Sequence, residues 1–246
     1  MKILLTGAAG YLAGFVIERL RAQHELTLFD RAAPREAFAD LPFVRGDISS
    51  FDDVNLASAG QEAVVHLVAL VRERLGMPHG AYCDVMVKGT WNVAQACAQN
   101  GVQRLVNISS VVADGWPQAS QTAHRVGDGA QFGEGDLFYC LAKKLGEQIC
   151  NAYAQAHQLQ VTNLRPAVIA GDGANAEPQK PENAPPYWFM HVHPEDVAQA
   201  IERALQTQNS GTFNITAGRN DTLWDWRDAQ QKLGYAPEFN WPEIEK

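Results

Sequence analysis

The feature that most constrains this chain is a glycine-rich turn close to the N-terminus. Residues 6–13 read Thr-Gly-Ala-Ala-Gly-Tyr-Leu-Ala and follow a short apolar run, residues 3–5. A helical pattern comes next, and Asp30 lies 23 residues after Gly7. Such a turn brings backbone N–H groups and a helix N-terminus to a pyrophosphate, and a carboxylate about 20 residues further on suits a ribose. The chain is therefore predicted to bind a dinucleotide, with an ordinary tight turn as the alternative.

Composition narrows the class of protein. At 246 residues the chain can bury a large core, either as one α/β domain or as one domain with a small appendage. A net charge of −8 without a basic stripe argues against nucleic-acid binding. No apolar run approaches the roughly 18 residues of a membrane span, and the first strand begins almost at once, so no signal peptide is expected. The cysteines lack C-x-x-C spacing, which predicts reduced thiols in the cytoplasm and no metal: Cys83, Cys97, Cys140 and Cys150.

Short apolar runs alternate with helical patterns along most of the chain. Strands are predicted at residues 2–5, 26–29, 43–45, 64–67, 105–108, 161–164 and 212–215. Helices are predicted at residues 11–23, 53–59, 81–100, 138–157, 194–205 and 222–233. This alternation predicts an α/β protein with a doubly wound parallel sheet (a Rossmann fold). We expect a single domain over residues 1–246, with a dinucleotide-binding core at about 1–165 and a small C-terminal substrate cap at about 166–246.

A candidate catalytic group lies on the helix predicted at 138–157. Tyr139 and Lys143 are four residues apart and so share one helix face. A neighbouring ammonium favours the phenolate form of a tyrosine, which makes Tyr139 a usable acid or base toward an alcohol. Ser109 and Ser110 end the strand predicted at 105–108, where a hydroxyl can hold a substrate oxygen as charge develops on it.

In combination these motifs resemble the extended short-chain dehydrogenase/reductases, the NAD-dependent epimerase/dehydratase family. The resemblance covers nearly the whole chain and follows the family order: the Gly7/Gly10/Ala13 turn, Asp30, Gly46-Asp47-Ile48, His66-Leu67-Val68-Ala69, Gly89-Thr90-Trp91-Asn92, Ser109-Ser110, Tyr139 with Lys143 and Glu147, Leu164-Arg165-Pro166 and His193-Pro194-Glu195-Asp196-Val197-Ala198. The chain further resembles the uronate dehydrogenase subgroup in its short cap, in Trp188 and in the C-terminal segment from Asn220 to Tyr235. Enzymes of that subgroup oxidise the anomeric carbon of a free sugar acid with NAD.

The resemblance implies an NAD-dependent oxidoreductase with Ser110, Tyr139 and Lys143 as catalytic residues. It also implies a set of cofactor-binding residues: Gly7, Ala9, Gly10, Tyr11, Leu12, Asp30, Arg31, Asp47, Ile48, Leu67, Val68, Ala69, Lys143, Pro166 and Val168. NAD is predicted over NADP because the carboxylate of Asp30 would repel a 2′-phosphate, although Arg31 could hold one.

The expected substrate is a small sugar, sugar acid or polyol without a nucleotide. Only 24 residues separate Pro166 from His191, which leaves little chain for a nucleotide pocket. Predicted substrate ligands are Arg72, Ser109, Ser110, Tyr139 and Arg165, with Arg74 as another possible partner for a carboxylate. One departure concerns position 86, where Met86 replaces the asparagine usual in the family and puts proton relay in doubt.

Three functions stay open on the sequence. The leading hypothesis is the sugar oxidoreductase, followed by a nucleotide-sugar epimerase or dehydratase, and then by a non-catalytic dinucleotide-binding redox sensor. A metal pair at His191 and His193 is an alternative that we do not favour, since no third ligand follows at metal spacing. In the family, the helices predicted at 81–100 and 138–157 pair across a dyad, so the resemblance also implies a homodimer.

Overall fold

The computed structural model describes residues 1–70, 78–117, 122–128, 131–133, 137–173, 180 and 182–239. Its strands, in chain order, are β1 (Lys2–Thr6), β2 (Glu25–Asp30), β3 (Phe43–Arg45), β4 (Ala63–His66), β5 (Arg104–Ile108), β6 (Gln160–Pro166), β7 (Val168–Ile169), β8 (His191–Val192) and β9 (Gly211–Ile215). Its helices are α1 (Ala13–Leu20), α2 (Phe51–Ser58), α3 (His79–Tyr82), α4 (Gly89–Gln99), α5 (Leu137–Ala156), α6 (Pro194–Gln206) and α7 (Arg227–Leu233).

Seven of these strands form one parallel sheet in the order β3-β2-β1-β4-β5-β6-β9. The order reverses between β1 and β4, and parallel α/β sheets bind their ligands at such a switch point, beyond the carboxyl ends of the strands. The predicted fold class, a doubly wound parallel sheet, is confirmed. β7 and β8 form a separate two-stranded sheet beyond the end of β6.

Helices cover both faces of the sheet. On one face, α1 and α6 contribute Val16, Ile17 and Ile201 to a core that also takes in the sheet residues Ile3 and Leu5. On the other face, apolar residues of α2, α4 and α5 pack against β1, β4 and β5; they include Val54, Ala57, Val93, Ala96, Cys97 and Cys150. Because both faces are covered, the inner strands are apolar on both sides, as parallel sheets require.

Local chemistry explains several helix ends. Ser50 caps α2, its hydroxyl accepting from the backbone N–H of Asp53. Pro194 occupies the first turn of α6, and the His193 side chain accepts from the N–H of Glu195. Gly234, with a φ of 73°, ends α7 in the left-handed conformation that glycine favours.

The structure differs from the sequence prediction in three places. The helix predicted at 81–100 contains a π-helical segment, Cys83–Lys88, between α3 and α4. The last helix begins at Arg227 rather than 222, because the backbones of Thr222 and Trp224 form bridges to other segments. Finally, β9 and α6 come from the region expected to form the cap, yet they belong to the main sheet and its helical layer. The single-domain organisation and the boundary near 165 stay predictions.

Candidate active site

The glycine-rich turn lies between the end of β1 and the start of α1, tight against the end of β4. Gly7 has a φ of 79°, and a side-chain carbon placed on it would lie 3.0 Å from the backbone nitrogen of Val68. The N–H of Gly10 donates to the carbonyl of Gly7 at 3.0 Å, and a side-chain carbon on Gly10 would meet that same oxygen. Glycine is therefore required twice, once for backbone conformation and once for close approach.

Asp30 fixes this turn to the end of β2. Its carboxylate accepts from the N–H of Ala9 and from the N–H of Ala32, each at 3.1 Å. A carboxylate has about four acceptor positions, so these two bonds leave capacity for the hydroxyls of a ribose.

Arg31, the next residue, points toward a second carboxylate. Its guanidinium lies 3.8 Å from Asp47, and both side chains are largely exposed, so the pair contributes little to stability. The pKa of Asp47 is lowered, mainly by the backbone N–H of Ser49. Arg31 thus has an anionic neighbour 3.8 Å away.

These residues belong to a cleft of about 740 Å³ along the carboxyl edge of the sheet. It brings together all but one of the predicted cofactor residues: Gly7, Gly10, Tyr11, Leu12, Asp30, Arg31, Asp47, Ile48, Leu67, Val68, Ala69, Lys143, Pro166 and Val168. Ala9 takes part through its N–H bond to Asp30. We call the part formed after β1 to β4 the β1–β4 half, and the part formed after β5 and β6 the β5–β6 half.

His66 supports the β1–β4 half from below, at the end of β4. It is buried, with Nδ1 2.7 Å from the hydroxyl of Thr6 and Nε2 3.2 Å from that of Thr90. The Thr90 hydroxyl donates to the carbonyl of Met86 at 2.6 Å, so Nε2 carries the imidazole proton and Nδ1 accepts from Thr6. Burial lowers the pKa of His66 to about 3, and the charge of Lys143 adds to the effect. These contacts favour a structural role for His66.

The β5–β6 half contains all three predicted catalytic residues. Ser110 follows β5, while Tyr139 and Lys143 project from α5, and all three line the cleft. The Lys143 ammonium lies 6.0 Å from the centre of the Tyr139 ring and donates to the carbonyl of Ile108 at 2.6 Å. Burial lowers the pKa of Lys143 to about 8, against the opposing effect of the Glu147 carboxylate.

The two serines have different partners. The Ser109 hydroxyl donates to Glu147 at 2.5 Å, so its hydrogen is already used. The Ser110 oxygen accepts a long bond, 3.4 Å, from the N–H of Val112, which leaves its hydrogen available to another acceptor. These contacts favour Ser110 over Ser109 as the residue that holds a substrate oxygen.

A buried network of charges lies behind the catalytic residues. The Arg165 guanidinium donates through Nε and Nη2 to Glu147, both at 2.7 Å, and through Nη1 to Asp114 at 2.6 Å. Lys144 forms a further ion pair with Asp114. Burial acts to raise the pKa of Asp114, but the hydrogen bonds from Arg165 and Lys144 outweigh it and hold that pKa below its ordinary value. The network fastens α5 to β6 and to the 3₁₀ turn Val111–Asp114.

These contacts bear on the predicted substrate ligands. Arg165 is buried, and all three of its nitrogens donate to carboxylates, an arrangement that favours a structural role; its binding to substrate stays a prediction. Arg72 and Arg74 lie outside the described residues.

The family match decides the chain's membership. The model of the NAD dependent epimerase/dehydratase family matches residues 3–216. This chain belongs to that family.

Two characterised relatives align with almost the whole chain. An L-arabinose 1-dehydrogenase (NAD(P)(+)) of Haloferax volcanii is 27% identical over 97% of this chain and 97% of its own length. A uronate dehydrogenase of Pseudomonas syringae pv. tomato is 28% identical over 96% of this chain and 82% of its own. Among solved structures, a mutated uronate dehydrogenase superposes with a TM-score of 0.80 at 20% identity, covering 97% of this chain and 82% of that one. The structural likeness supports the fold.

The cleft fits the NAD that gives the family its name. The close approach of Gly7 to the backbone of β4 leaves a turn without side chains at the start of α1, which is the shape that a pyrophosphate needs. Asp30 has acceptor capacity at the end of β2, and Ile48 offers an apolar wall at the end of β3. Lys143 is within the same cleft, as a residue that holds the second ribose would be.

Two features of the family site are altered or unforeseen. Met86, at the family's asparagine position, is buried in the π-helical segment, and its sulfur accepts from the N–H of Leu70 at 3.4 Å. π-helical turns recur at functional sites, and no sequence pattern signalled this one.

Sequence reasoning also missed several residues that line the cleft: Leu70, Val85, Val111, Val112, Trp116, Ile169, Ala170, His191 and Trp224. Leu70, Val111, Val112 and Ala170 lie within four residues after a strand, which is the signal that could have found them.

Other site classes find little support in the described part of the chain. No group of three or more metal-ligating side chains occurs there. His193 stacks on Phe239 at 3.8 Å and caps α6, while His191 lines the cleft. Within the same part of the chain, no helix is both long and apolar enough to cross a membrane.

Proposed function

We propose that this protein is an NAD-dependent oxidoreductase that moves a hydride between a small sugar, sugar acid or polyol and the nicotinamide. The observation that carries the proposal is the placement of Ser110, Tyr139 and Lys143 in one cleft with the glycine-rich turn and Asp30. A redox sensor needs only the glycine-rich turn and Asp30, so the presence of Ser110, Tyr139 and Lys143 argues for catalysis.

The proton is handled by Tyr139. When bound, NAD would supply the acceptor for the hydride that leaves the carbon carrying the substrate hydroxyl. The O–H proton of that hydroxyl passes to the Tyr139 phenolate, and the C–O single bond becomes a carbonyl or lactone. In the opposite direction, Tyr139 gives the proton back to the oxygen.

Ser110 and Lys143 prepare this step. The Ser110 hydroxyl donates to the substrate oxygen and holds it beside the phenol. Lys143 is held by the Ile108 carbonyl with its ammonium near the Tyr139 ring, where a positive charge favours phenolate. The same ammonium faces the cleft, where it would hold the ribose next to the nicotinamide.

NAD is proposed over NADP. Asp30 lies at the end of β2 with a carboxylate that would accept from ribose hydroxyls and repel a 2′-phosphate. Arg31 is the residue that could hold that phosphate, and its ion pair with Asp47 weakens it for that purpose. A higher kcat/KM with NADP than with NAD would reverse this assignment.

Two observations support a substrate without a nucleotide. The chain between β7 and β8 is short, and a nucleoside diphosphate needs cations, of which this segment has only Lys180. The relatives that align over almost the whole chain are named as dehydrogenases of arabinose and of uronates.

The test is NADH formation across a panel of free aldoses, their uronic acids and polyols. Calorimetric titration with UDP, dTDP and GDP is run on the same preparation. We expect turnover of at least one free sugar or sugar acid and no micromolar binding of a nucleoside diphosphate. Micromolar nucleotide binding without sugar turnover would replace this proposal with the nucleotide-sugar epimerase or dehydratase.

We also propose a homodimer that works in the cytoplasm. Trp91 of α4 is 51% exposed, Leu141 of α5 is 40% exposed, and Trp91 lies edge-on to Tyr153 at 6.4 Å, so this helix pair offers an aromatic surface for a second copy. Four free cysteines suit a reducing compartment. Sedimentation of the parent and of Trp91→Asp tests the dimer, which the variant should dissociate.

A further inference from the structure

The β5–β6 half of the cleft has a wall that is mainly apolar. Val168 is its most open member, with 42% of the residue exposed. The Trp116 and Trp224 rings lie 6.1 Å apart and are tilted by 53°. The wall consists of Val111, Val112, Trp116, Val168, Ile169, Ala170 and Trp224, which follow β5 and β6 or come from the C-terminal segment. An apolar and aromatic wall favours the C–H face of a ring or chain over a charged group.

Positive charge is scarce at this end of the cleft. Among the described residues that line it, Lys143 is the one cation of the β5–β6 half, and its ammonium already donates to the Ile108 carbonyl. Arg165 lies behind the wall, where Glu147 and Asp114 occupy all three of its nitrogens. A substrate carboxylate placed against the wall would therefore lose water without gaining a cation from the residues that the structure describes.

One polar side chain interrupts the wall. His191 pairs with Val168 across the β7–β8 register and lines the cleft. Its Nδ1 is buried and has no hydrogen-bond partner among the described residues. Burial lowers the pKa of His191, which favours the neutral ring. A neutral imidazole has one donor and one acceptor, which suits a hydroxyl group.

We propose that this enzyme prefers a neutral sugar or polyol over a sugar acid, with the substrate's C–H face on the Val168 and Trp116 wall and a hydroxyl on His191. The inference rests on the proposed function and refines its substrate class. It also assigns substrate specificity to wall residues outside the Ser110, Tyr139 and Lys143 set.

The first experiment compares aldose and uronate pairs that differ only at the terminal carbon, such as galactose with galacturonate and glucose with glucuronate. At saturating NAD we expect the neutral member of an accepted pair to have a kcat/KM at least tenfold higher. A uronate preference would overturn this inference and leave the proposed function intact. Turnover of no free sugar, sugar acid or polyol would overturn the proposed function and this inference with it.

The second experiment adds a positive charge to the wall. Val168→Arg should raise the ratio of uronate to aldose kcat/KM at least tenfold, whereas the uncharged Val168→Met should leave that ratio near the parent's. The KM for NAD, measured in the same series, reports any disturbance of the cofactor contact predicted for Val168. An unchanged ratio of uronate to aldose kcat/KM in Val168→Arg would show that this wall does not face the substrate and would contradict the inference.

Two further sets of variants locate the groups. His191→Phe should lower aldose kcat/KM at least tenfold, mainly through KM, and His191→Gln should recover part of the loss because it keeps a donor and an acceptor. Arg72→Ala and Arg74→Ala test the two arginines that the sequence offers as partners for a substrate carboxylate. A uronate preference in the parent that either arginine variant abolishes would assign the carboxylate to that arginine instead.

Discussion

The two halves of the cleft differ in the groups that form their surfaces and in the residues that support them. In the β1–β4 half, the glycine-rich turn presents backbone to the ligand, and its support is the neutral His66 held between two threonine hydroxyls. In the β5–β6 half, the surface consists of side chains, and its support is the buried charge network of Glu147, Arg165 and Asp114. Backbone positions a phosphate without specifying what else binds, whereas side chains specify the reacting groups. The first half should therefore control cofactor affinity, and the second should control chemistry.

The largest effect is expected from removing the acid–base group of the β5–β6 half. Tyr139→Phe should lower kcat by about a hundredfold to ten-thousandfold, the range for acid–base catalysis, while NAD affinity is unchanged. Single-turnover NADH formation and fluorescence titration of NAD measure the two quantities. A near-normal rate in the variant would remove Tyr139 from the mechanism, and a parallel loss of NAD affinity would break the proposed division between the halves.

The next effect concerns the support of the β5–β6 half. Glu147→Gln keeps the size of the side chain but removes the charge that faces Arg165, with the two side chains only 5% and 3% exposed. Breaking a buried ion pair costs about 3–5 kcal/mol of unfolding free energy, measurable by urea denaturation. The control is Asp228→Asn, which breaks the exposed pair with Lys232 and should cost about 0.5 kcal/mol or less. Equal losses in the two variants would mean that the network contributes no more than a surface pair.

This contrast explains what the sequence could and could not predict. The turn, Asp30 and the Tyr139–Lys143 pair were predictable because each depends on spacing within one strand, one turn or one helix. Arg165 was assigned to the substrate because a sequence shows a cation at a strand end. Its ion pairs with Glu147 from α5 and Asp114 from the turn after β5 could not be predicted, because they depend on contacts between distant segments.

The errors in secondary structure have a similar origin. Trp224 was expected on a helix, but its backbone pairs with His124, a contact 100 residues away. The π-helical segment Cys83–Lys88 has the same apolar pattern as an ordinary helix. Local periodicity carries no information about either event.

The support of the β1–β4 half should appear in the pH dependence of stability. His66 has its pKa lowered to about 3 by burial, whereas in the unfolded chain it takes up a proton near pH 6.5. Between these values the unfolded state binds a proton that the folded state does not, so stability falls as the pH falls. One such group contributes about 1.4 kcal/mol per pH unit.

Urea denaturation of the parent and of His66→Gln between pH 6 and 4 measures this contribution. Other histidines titrate in both proteins, so the informative quantity is the difference in slope. We expect the parent to lose about 1.4 kcal/mol per unit more than the variant. Parallel slopes would mean that His66 takes up its proton in the folded protein. The assignment of a neutral His66 as the support of this half would then be wrong.

The smallest effect tests the backbone surface of the β1–β4 half and uses two glycines of similar conformation. Gly7 and Gly60 have φ values of 79° and 73°, so alanine at either position costs about 1–2 kcal/mol of conformational strain. Only at Gly7 would the added carbon also meet backbone, 3.0 Å from the Val68 nitrogen, whereas nothing lies within 4 Å at Gly60. Gly7→Ala should therefore weaken NAD binding at least about tenfold, or 1.4 kcal/mol, beyond the effect of Gly60→Ala, with little change in kcat at saturating NAD. Calorimetric titration of NAD into both variants measures the difference. Equal affinities would mean that the close approach to β4 does not shape the cofactor site, and a loss of kcat that saturating NAD does not restore would show that the two halves are coupled.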